Sequence, residues 1–299
     1  MTTTESTHAD AAQLLASQPG RVFVLGAADT GKTTFCLRVV RMAVEAGLVV
    51  GFVDSDIGQS TIGPPTTVGL KMVRTAANLE PETLAHADVL AFVGSVVPRG
   101  HLLSLAVATA RVVMRAIEHG ARLVVVDTPD LVSGVAAQLL HLSQVELCRP
   151  RHAVALAHGG ELEPLVGVLQ RFASLDVLRL DVDPGIPMRS VDERVAARER
   201  SLAAALGPAV FRWRIRSTIF LPALPPDLDL APLDGVLVGI DTGEGDCAGL
   251  GILESRDDAL RLLTPLQEGV KAVRLGSLRA TPEGRITGQV DLRSLLGTD

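Results

Sequence analysis

The chain has 299 residues, of which 47% are hydrophobic, so it has enough apolar material for one large domain or two modest ones. Its formal net charge of −6 argues against a surface covered by nucleic acid but is compatible with a local basic groove. Short apolar runs, a polar N-terminus and three widely spaced cysteines predict no membrane span, no secretion signal and a reducing, cytoplasmic location.

A flexible segment is predicted over 1–19, with a short helix over 10–17, and a strand follows over 21–26. The next residues, G-A-A-D-T-G-K-T at 26–33, lead into a helix over 31–46. A strand, a G-x-x-x-x-G-K-[ST] loop and a helix form the phosphate-binding P-loop, whose backbone amides and helix N-terminus attract phosphate. The predicted nucleotide-binding residues are Gly26, Ala27, Ala28, Asp29, Thr30, Gly31, Lys32, Thr33 and Thr34. We expect Lys32 to reach the β- and γ-phosphates and Thr33 to ligate Mg²⁺.

Apolar strands alternate with helical segments up to residue 181, which predicts a doubly wound, mostly parallel α/β sheet. The predicted strands lie at 48–54, near 89–93, at 122–127, 152–157 and 176–181, with a long Gly/Pro-rich loop over 55–67. From residue 211 the apolar segments are short and separated by frequent turn signals, which predicts a small C-terminal β domain. The predicted domains are therefore 20–209, including a helix over 190–206, and 210–299.

Acidic residues end two of the predicted strands. Asp127 follows the apolar run 123–126 and corresponds to the Walker B acid, which helps to hold Mg²⁺. Asp54 and Asp56 lie two residues apart and project to the same side of an extended chain. Two carboxylates facing a triphosphate are costly unless one binds metal and the other accepts a proton. We assign metal binding to Asp54 and proton acceptance to Asp56; the alternative for both is a turn-forming role.

The helix over 190–206 is rich in arginine. Residues 186–216 contain seven arginines and three acids, a net charge of +4 in a chain whose charge is −6. We predict that Arg194, Arg198 and Arg200 close over the phosphates as a lid and neutralise charge in the transition state. The alternative is a solvated helix face. No Asn-Lys-x-Asp guanine-reading motif follows the strand at 152–157, where His158-Gly159-Gly160-Glu161 stands instead, and this favours ATP.

Several segments together resemble the polynucleotide 5′-hydroxyl kinases of RNA processing. They are the P-loop, Val53-Asp54-Ser55-Asp56-Ile57-Gly58-Gln59, Pro64-Pro65, Phe92-Val93-Gly94-Ser95 with Pro98-x-Gly100-His101, Val126-Asp127-Thr128 and Arg198-Glu199-Arg200. The glycine-rich segments 237–240 and 249–253 resemble that family's trailing β domain, so the likeness covers most of residues 20–280.

The resemblance implies ATP- and Mg²⁺-dependent phosphorylation of the 5′-hydroxyl end of RNA or DNA. It implies that Asp56 activates the hydroxyl, that Lys32 and the three lid arginines act on the phosphates, and that Gln59, Arg99, His101 and Thr128 contact the substrate. A P-loop ATPase that uses water as the acceptor and a non-catalytic RNA-binding adaptor that holds ATP are the alternatives. The sequence leaves open the choice between RNA and DNA, the protein partners and the oligomeric state.

Overall fold

A computed structural model of the chain describes residues 3–207, 211–215, 219–257 and 259–296. Within these ranges there are two seven-stranded sheets. The first has the strand order β4-β3-β2-β5-β1-β6-β7. Its strands are β1 (Gly20–Gly26), β2 (Val50–Asp54), β3 (Thr67–Val73), β4 (Val89–Phe92), β5 (Leu123–Asp127), β6 (His152–Ala157) and β7 (Asp176–Asp181). The strands β2, β5, β1, β6 and β7 pair in parallel, and this confirms the predicted doubly wound class.

The strand β3 was not assigned from the sequence. It runs antiparallel to both β2 and β4, which makes the sheet mixed. Its seven residues are all buried, including Lys71 in the middle of the strand. The Lys71 ammonium lies 3.2 Å from Asp88 Oδ1 and donates to the His86 carbonyl oxygen. Lys71 interrupts the apolar run that would otherwise predict a buried strand. Its burial depends on partners elsewhere in the chain, which the local pattern does not show.

Helices cover both faces of the first sheet. They are α1 (Thr3–Ala16), α2 (Lys32–Glu45), α3 (Pro81–Ala85), α4 (Leu102–Glu118), α5 (Gly134–Cys148) and α6 (Glu163–Ala173). Along β1, Val22 and Val24 belong to the apolar cluster with α1 and α2, whereas Phe23 and Leu25 belong to the cluster with α4, α5 and α6. This alternation is the two-residue period of a strand buried on both sides. No helix among the described residues is long and apolar enough to cross a membrane.

The N-terminal segment differs from the prediction of a flexible start. The helix α1 extends from Thr3 to Ala16, and Ala12 and Leu15 are fully buried in the cluster that contains Phe35 and Val39 of α2. The helix has only a weak apolar stripe, so its polar residues suggested a disordered tail. Burial of small side chains against α2 supplies the stability that the isolated helix lacks.

The second sheet is antiparallel except at one short strand. Its main order is β14-β13-β10-β11-β12-β8, and β9 pairs in parallel with β13. The strands are β8 (Phe211–Arg214), β9 (Phe220–Leu221), β10 (Val236–Asp241), β11 (Cys247–Arg256), β12 (Ala259–Thr264), β13 (Ala272–Ala280) and β14 (Ile286–Gln289), and a short helix α8 (Leu292–Leu296) follows. The C-terminal β unit is therefore present. The predicted boundary at 209/210 lies outside the described residues and stays a prediction.

The helix α7 (Val191–Leu206) connects the two sheets. Ser190 and Glu193 form a capping box at its start, with each side chain accepting from the backbone N–H of the other residue. At its other end, Leu202 and Leu206 are buried against the second sheet. The turn after β13 also touches α7: a Cβ added to Gly284 would lie 2.3 Å from Ala203 N and 2.4 Å from Glu199 O. The helix is thus fixed to the β domain along its C-terminal half.

We expect Gly284→Ala to lower the free energy of unfolding by about 1–3 kcal/mol more than Gly120→Ala does. Both glycines have positive φ, +82° and +88°, but a Cβ on Gly120 would meet nothing within 4 Å. The difference between the two variants therefore measures contact with the α7 backbone and not the cost of left-handed geometry. Chemical denaturation gives both values, and equal losses would contradict the contact.

Candidate active site

The P-loop connects β1 to α2 by a tight turn. Asp29 and Gly31 have φ values of +57° and +82°, both in the left-handed region. A Cβ on Gly26 would lie 2.4 Å from Thr30 Oγ1, so no larger residue has room at this position. The Lys32 ammonium donates a 2.8 Å hydrogen bond to the Ala27 carbonyl oxygen, which keeps it over the loop. The turn places backbone N–H groups and the N-terminus of α2 around one point, an arrangement that binds phosphate.

An open cleft with about 860 Å³ of empty space lies over this loop. It brings together the P-loop, the loop after β2 and the start of the α7 region. Its lining residues are Ala28, Asp29, Thr30, Gly31, Lys32, Thr33, Thr34, Asp56, Gln59, Thr61, Asp130, Ile186, Pro187, Arg189 and Arg194. Seven of the predicted nucleotide-binding residues, the run 28–34, are therefore on its wall.

Asp127 and Thr33 meet at the floor of the site. The Thr33 hydroxyl donates a 2.5 Å hydrogen bond to Asp127 Oδ2, and the other carboxylate oxygen, Oδ1, is buried without a hydrogen-bond partner among the described residues. Burial and the charge of Asp56 raise the pKa of Asp127 to about 6, against the lowering effect of Lys32 and Thr33. A buried carboxylate with a free oxygen beside a hydroxyl is a donor set that suits Mg²⁺.

Asp54 has a different environment from the one predicted. Its Oδ1 accepts from Asp56 N at 2.9 Å, and its Oδ2 accepts from Thr61 N at 2.5 Å and from Ile62 N at 3.1 Å. Burial, with the charges of Asp127 and Asp56, raises the pKa of Asp54 well above its usual value. Both oxygens hold the loop after β2, which agrees with the turn-forming alternative, and metal binding by Asp54 stays a prediction.

Asp56 lies in the cleft at the start of that loop. Its Oδ1 accepts hydrogen bonds from Gly58 N and Gln59 N, both at 3.0 Å, so the turn-forming alternative also applies to it. The carboxylate is held in one orientation on the cleft wall, because two backbone donors fix one of its oxygens. The Gln59 amide nitrogen reaches the Arg194 carbonyl oxygen at 3.4 Å and thus connects the loop with α7.

The arginines at the start of α7 lie over the P-loop. Arg194 forms an ion pair with Asp29, and the backbone N–H of Arg189 donates to the same carboxylate oxygen at 3.2 Å. Arg198 lies one turn further along the helix and donates from Nε to the Gly58 carbonyl oxygen at 3.0 Å. Partial burial lowers the pKa of Arg198 from its usual value. Two of the three predicted lid arginines therefore contact loops of the site.

The third predicted lid arginine, Arg200, does not line the cleft. It is exposed and lies on the opposite side of the helix, because residues two apart are about 200° apart around an α-helix. Arg189 lines the cleft instead. It precedes the helix, so the four-residue helical spacing that pointed to Arg194 and Arg198 could not identify it.

Three predicted substrate-binding residues also lie outside the cleft. Thr128 is fully buried, and its hydroxyl donates to the Val24 carbonyl oxygen at 2.7 Å, which leaves it unavailable to a ligand. His101 Nε2 lies 3.1 Å from Ser277 Oγ in the second sheet, and burial lowers the pKa of its imidazole. Arg99 is exposed and does not line the cleft. The structure gives Thr128 and His101 packing roles and brings only Gln59 of the four to the cleft.

Asp130 adds a further carboxylate to the cleft. Desolvation and the charge of Asp56 raise the pKa of Asp130, while Lys32 and Arg194 lower it. The cleft therefore combines acids with a lysine and arginines at close range. Such a mixture suits a ligand that carries its own negative charge together with a cation.

Residues 26–204 match the family described as mRNA cleavage and polyadenylation factor CLP1 P-loop. The chain belongs to this family. It is 28% identical over 327 aligned residues to the polyribonucleotide 5′-hydroxyl-kinase of Thermococcus kodakarensis, covering 91% of each chain. It is 25% identical to the protein of the same name from Methanocaldococcus jannaschii, covering 93% of this chain and 92% of that one. These relatives confirm the prediction of an enzyme of the kinase class.

The fold is also shared with a solved member of the family. A chain of the wild-type Clp1p–Pcf11p complex superposes with a TM-score of 0.71 at 12% identity, covering 93% of this chain and 80% of that chain. The family membership confirms the predicted P-loop nucleotide-binding class.

We expect Arg194→Ala to weaken the binding of a non-hydrolysable nucleoside triphosphate about 10- to 100-fold, because one charge-assisted hydrogen bond to phosphate is worth about 1.5–3 kcal/mol. Arg200→Ala removes the same charge from the same helix but outside the cleft and is expected to leave the affinity unchanged. Titration calorimetry measures both. Equal weakening by the two variants would show that only the net charge of α7 matters.

Proposed function

We propose that this chain transfers the γ-phosphate of ATP to the 5′-hydroxyl of RNA in the presence of Mg²⁺. The observation that carries the proposal is the single cleft that contains both Lys32 of the P-loop and the Asp56 carboxylate. The first group belongs to a phosphate donor site, and the second belongs to a hydroxyl acceptor site. The names of the relatives support RNA as the acceptor, and the lack of a guanine-reading motif supports ATP as the donor.

The donor phosphates lie on the P-loop. Backbone amides of residues 28–33 and the N-terminus of α2 surround the β-phosphate, and the Lys32 ammonium leaves the Ala27 carbonyl oxygen to reach the β- and γ-phosphates. Thr33 and Asp127 would hold Mg²⁺, since Asp127 Oδ1 is a buried oxygen without a partner among the described residues. When bound, this ion would offset the negative charge of the phosphate oxygens.

The acceptor hydroxyl lies beside Asp56. In the reaction the 5′-oxygen forms a bond to the γ-phosphorus, the bond from that phosphorus to the bridging oxygen of ADP breaks, and the proton of the hydroxyl moves to the Asp56 carboxylate. The backbone N–H groups of Gly58 and Gln59 hold this carboxylate in place throughout. The protein takes little part in the covalent bond changes, and most of the rate enhancement comes from positioning the donor phosphate and the acceptor hydroxyl.

The start of α7 closes the donor side. Arg189 and Arg194 line the cleft above the P-loop, where their guanidinium groups can bind oxygens of the transferred phosphate. Arg198, one turn further along the helix, donates to the loop after β2. We propose 20–209 as the kinase domain and 210–299 as the β domain that carries the other end of this helix.

The test is the transfer of labelled γ-phosphate from ATP to 5′-hydroxyl oligoribonucleotides. Lys32→Ala is expected to lower kcat/KM by about 10³-fold or more, because it removes a positive charge from the transferred phosphate. Asp56→Asn keeps the carbonyl oxygen that holds the loop but cannot accept the proton, so we expect kcat to fall about 10²- to 10⁴-fold with nucleotide affinity retained.

The matched control for Asp56→Asn is Asp229→Asn. Asp229 is an exposed aspartate whose Oδ1 likewise accepts from a backbone N–H, that of Ala231 at 3.0 Å, and it lies in the β domain. Its substitution should leave the rate unchanged. ATP hydrolysis without labelled oligonucleotide would overturn the kinase in favour of an ATPase, and tight ATP retention without turnover would favour an adaptor.

A further inference from the structure

The face of the second sheet that receives α7 continues into a cationic surface. The edge strand β8 pairs with β12 so that Arg212 stands opposite Leu263 and Arg214 stands opposite Arg261. Residues directly opposite each other on antiparallel strands share a face. Leu263 belongs to the apolar cluster that contains Leu206 of α7, so the arginines extend the same face beyond the end of the helix.

Four arginines form this surface, which we call the arginine strip: Arg212, Arg214, Arg256 and Arg261. Arg261 stands opposite Glu254 of β11, and Arg256 lies two residues further along that strand on the same face. Arg212 and Arg256 have side chains that are 61% and 65% exposed. The described acids on or beside the strip are Glu254 and Asp257, and the next residue in the sequence is Asp258, so four arginines stand against three acids in a chain of net charge −6.

Glu254 lies beside two of the arginines. Its side chain is only 14% exposed, and its Oε1 and Oε2 lie 3.4 Å from Arg256 Nε and 3.7 Å from Arg212 Nε. Both contacts are made through Nε, so the terminal amino groups of the two guanidiniums are left to solvent. A planar guanidinium can bind a phosphate group with two donors. The exposed guanidiniums of the strip are therefore open to phosphate groups of a ligand.

The length of α7 gives the scale of the separation between the cleft and the second sheet. Arg194 contacts the P-loop and Leu206 packs on the second sheet, and the twelve residue steps from one to the other span about 18 Å of helix axis. Phosphates of one stacked strand follow at about 3.4 Å along its axis, so about five or six phosphates cover this length. A strand whose 5′ end is at Asp56 can thus reach the strip with its following nucleotides.

We propose that the arginine strip binds the phosphodiester backbone of the RNA substrate a few nucleotides downstream of the 5′-hydroxyl. This inference rests on the proposed function, because it takes the 5′ end of RNA to lie in the cleft. The partner is a strand of nucleic acid, since a row of guanidiniums on three neighbouring strands suits a repeating phosphate charge. Backbone contacts of this kind bind without regard to sequence and weaken as salt rises.

The test compares a 5′-hydroxyl oligoribonucleotide of three nucleotides with one of twelve. For the wild type, kcat/KM is expected to be about tenfold higher for the longer substrate, the gain expected of one or two phosphate contacts. Arg212→Ala/Arg214→Ala should abolish this gain while leaving the trinucleotide rate unchanged. It should also reduce the slope of log kcat/KM against log salt by about 1 for the longer substrate.

The control is Arg122→Ala/Arg171→Ala, which removes the same charge from two exposed arginines, one directly before β5 and one on α6. This variant should retain the length dependence of the wild type. If it loses the gain equally, or if the strip variant retains it, the strip does not bind the substrate.

A failure of the proposed function has a separate signature. If neither oligonucleotide is phosphorylated, the kinase proposal is wrong, and the strip is then judged by fluorescence anisotropy of the labelled twelve-nucleotide RNA. An affinity about tenfold weaker in the strip variant than in the control supports RNA binding without kinase activity. Equal affinities of the two variants overturn the strip as well.

Discussion

The parallel register of β1, β5 and β2 decides where the reactive groups of this protein lie. Val24 of β1 and Asp54 of β2 both stand level with Asp127 of β5, so three loops leave the sheet at the same height and side by side. The first becomes the P-loop, and the third carries Asp56. Because the strands are buried on both faces, a shift of this register by one residue would exchange side chains between the two apolar clusters and disrupt the packing of both.

This register buries two carboxylates close together in the core, which costs desolvation free energy. Asp54 and Asp127 are each 2% exposed, and burial raises the pKa of both. Backbone N–H groups around Asp54 and the Thr33 hydroxyl beside Asp127 offset part of this cost. The two carboxylates therefore differ in their partners: Asp54 holds the loop that carries Asp56, whereas Asp127 has one oxygen without a hydrogen-bond partner among the described residues. Buried carboxylates with strongly shifted pKa values are typical of functional sites.

The helix α7 joins this site to the β domain through one face. Arg194, Arg198, Leu202 and Leu206 follow each other at four-residue intervals, so they lie along the same side of the helix. The first two contact the site loops, and the last two are buried on the second sheet. The same helix thus contacts the site loops at one end and the β domain at the other, and Gly284 approaches its backbone closely. The arginine strip lies on the β domain, on the sheet against which α7 packs.

The sequence predicted the helices, strands and loops that are specified by residues close together in the chain. The P-loop, its flanking strand and helix, and the strands at 122–127, 152–157 and 176–181 are confirmed because glycine placement and apolar runs specify them directly. The strand β3 was missed because Lys71 has its partners outside the strand. The contacts of the fully buried Thr128 and of His101 could not be predicted, because sequence shows a polar residue after a strand but not what it contacts.

The sequence by itself thus determined the fold class, the nucleotide-binding loop and the family of this chain, because these depend on the order and spacing of residues. The tertiary structure decided which polar residues face the cleft. It separated Asp54 from Asp56, placed Arg189 in the site and excluded Arg200, and aligned the arginines of β8, β11 and β12 into one strip. The physical reason is that a side chain's partners are set by strand register and helix packing between segments that are distant in the chain.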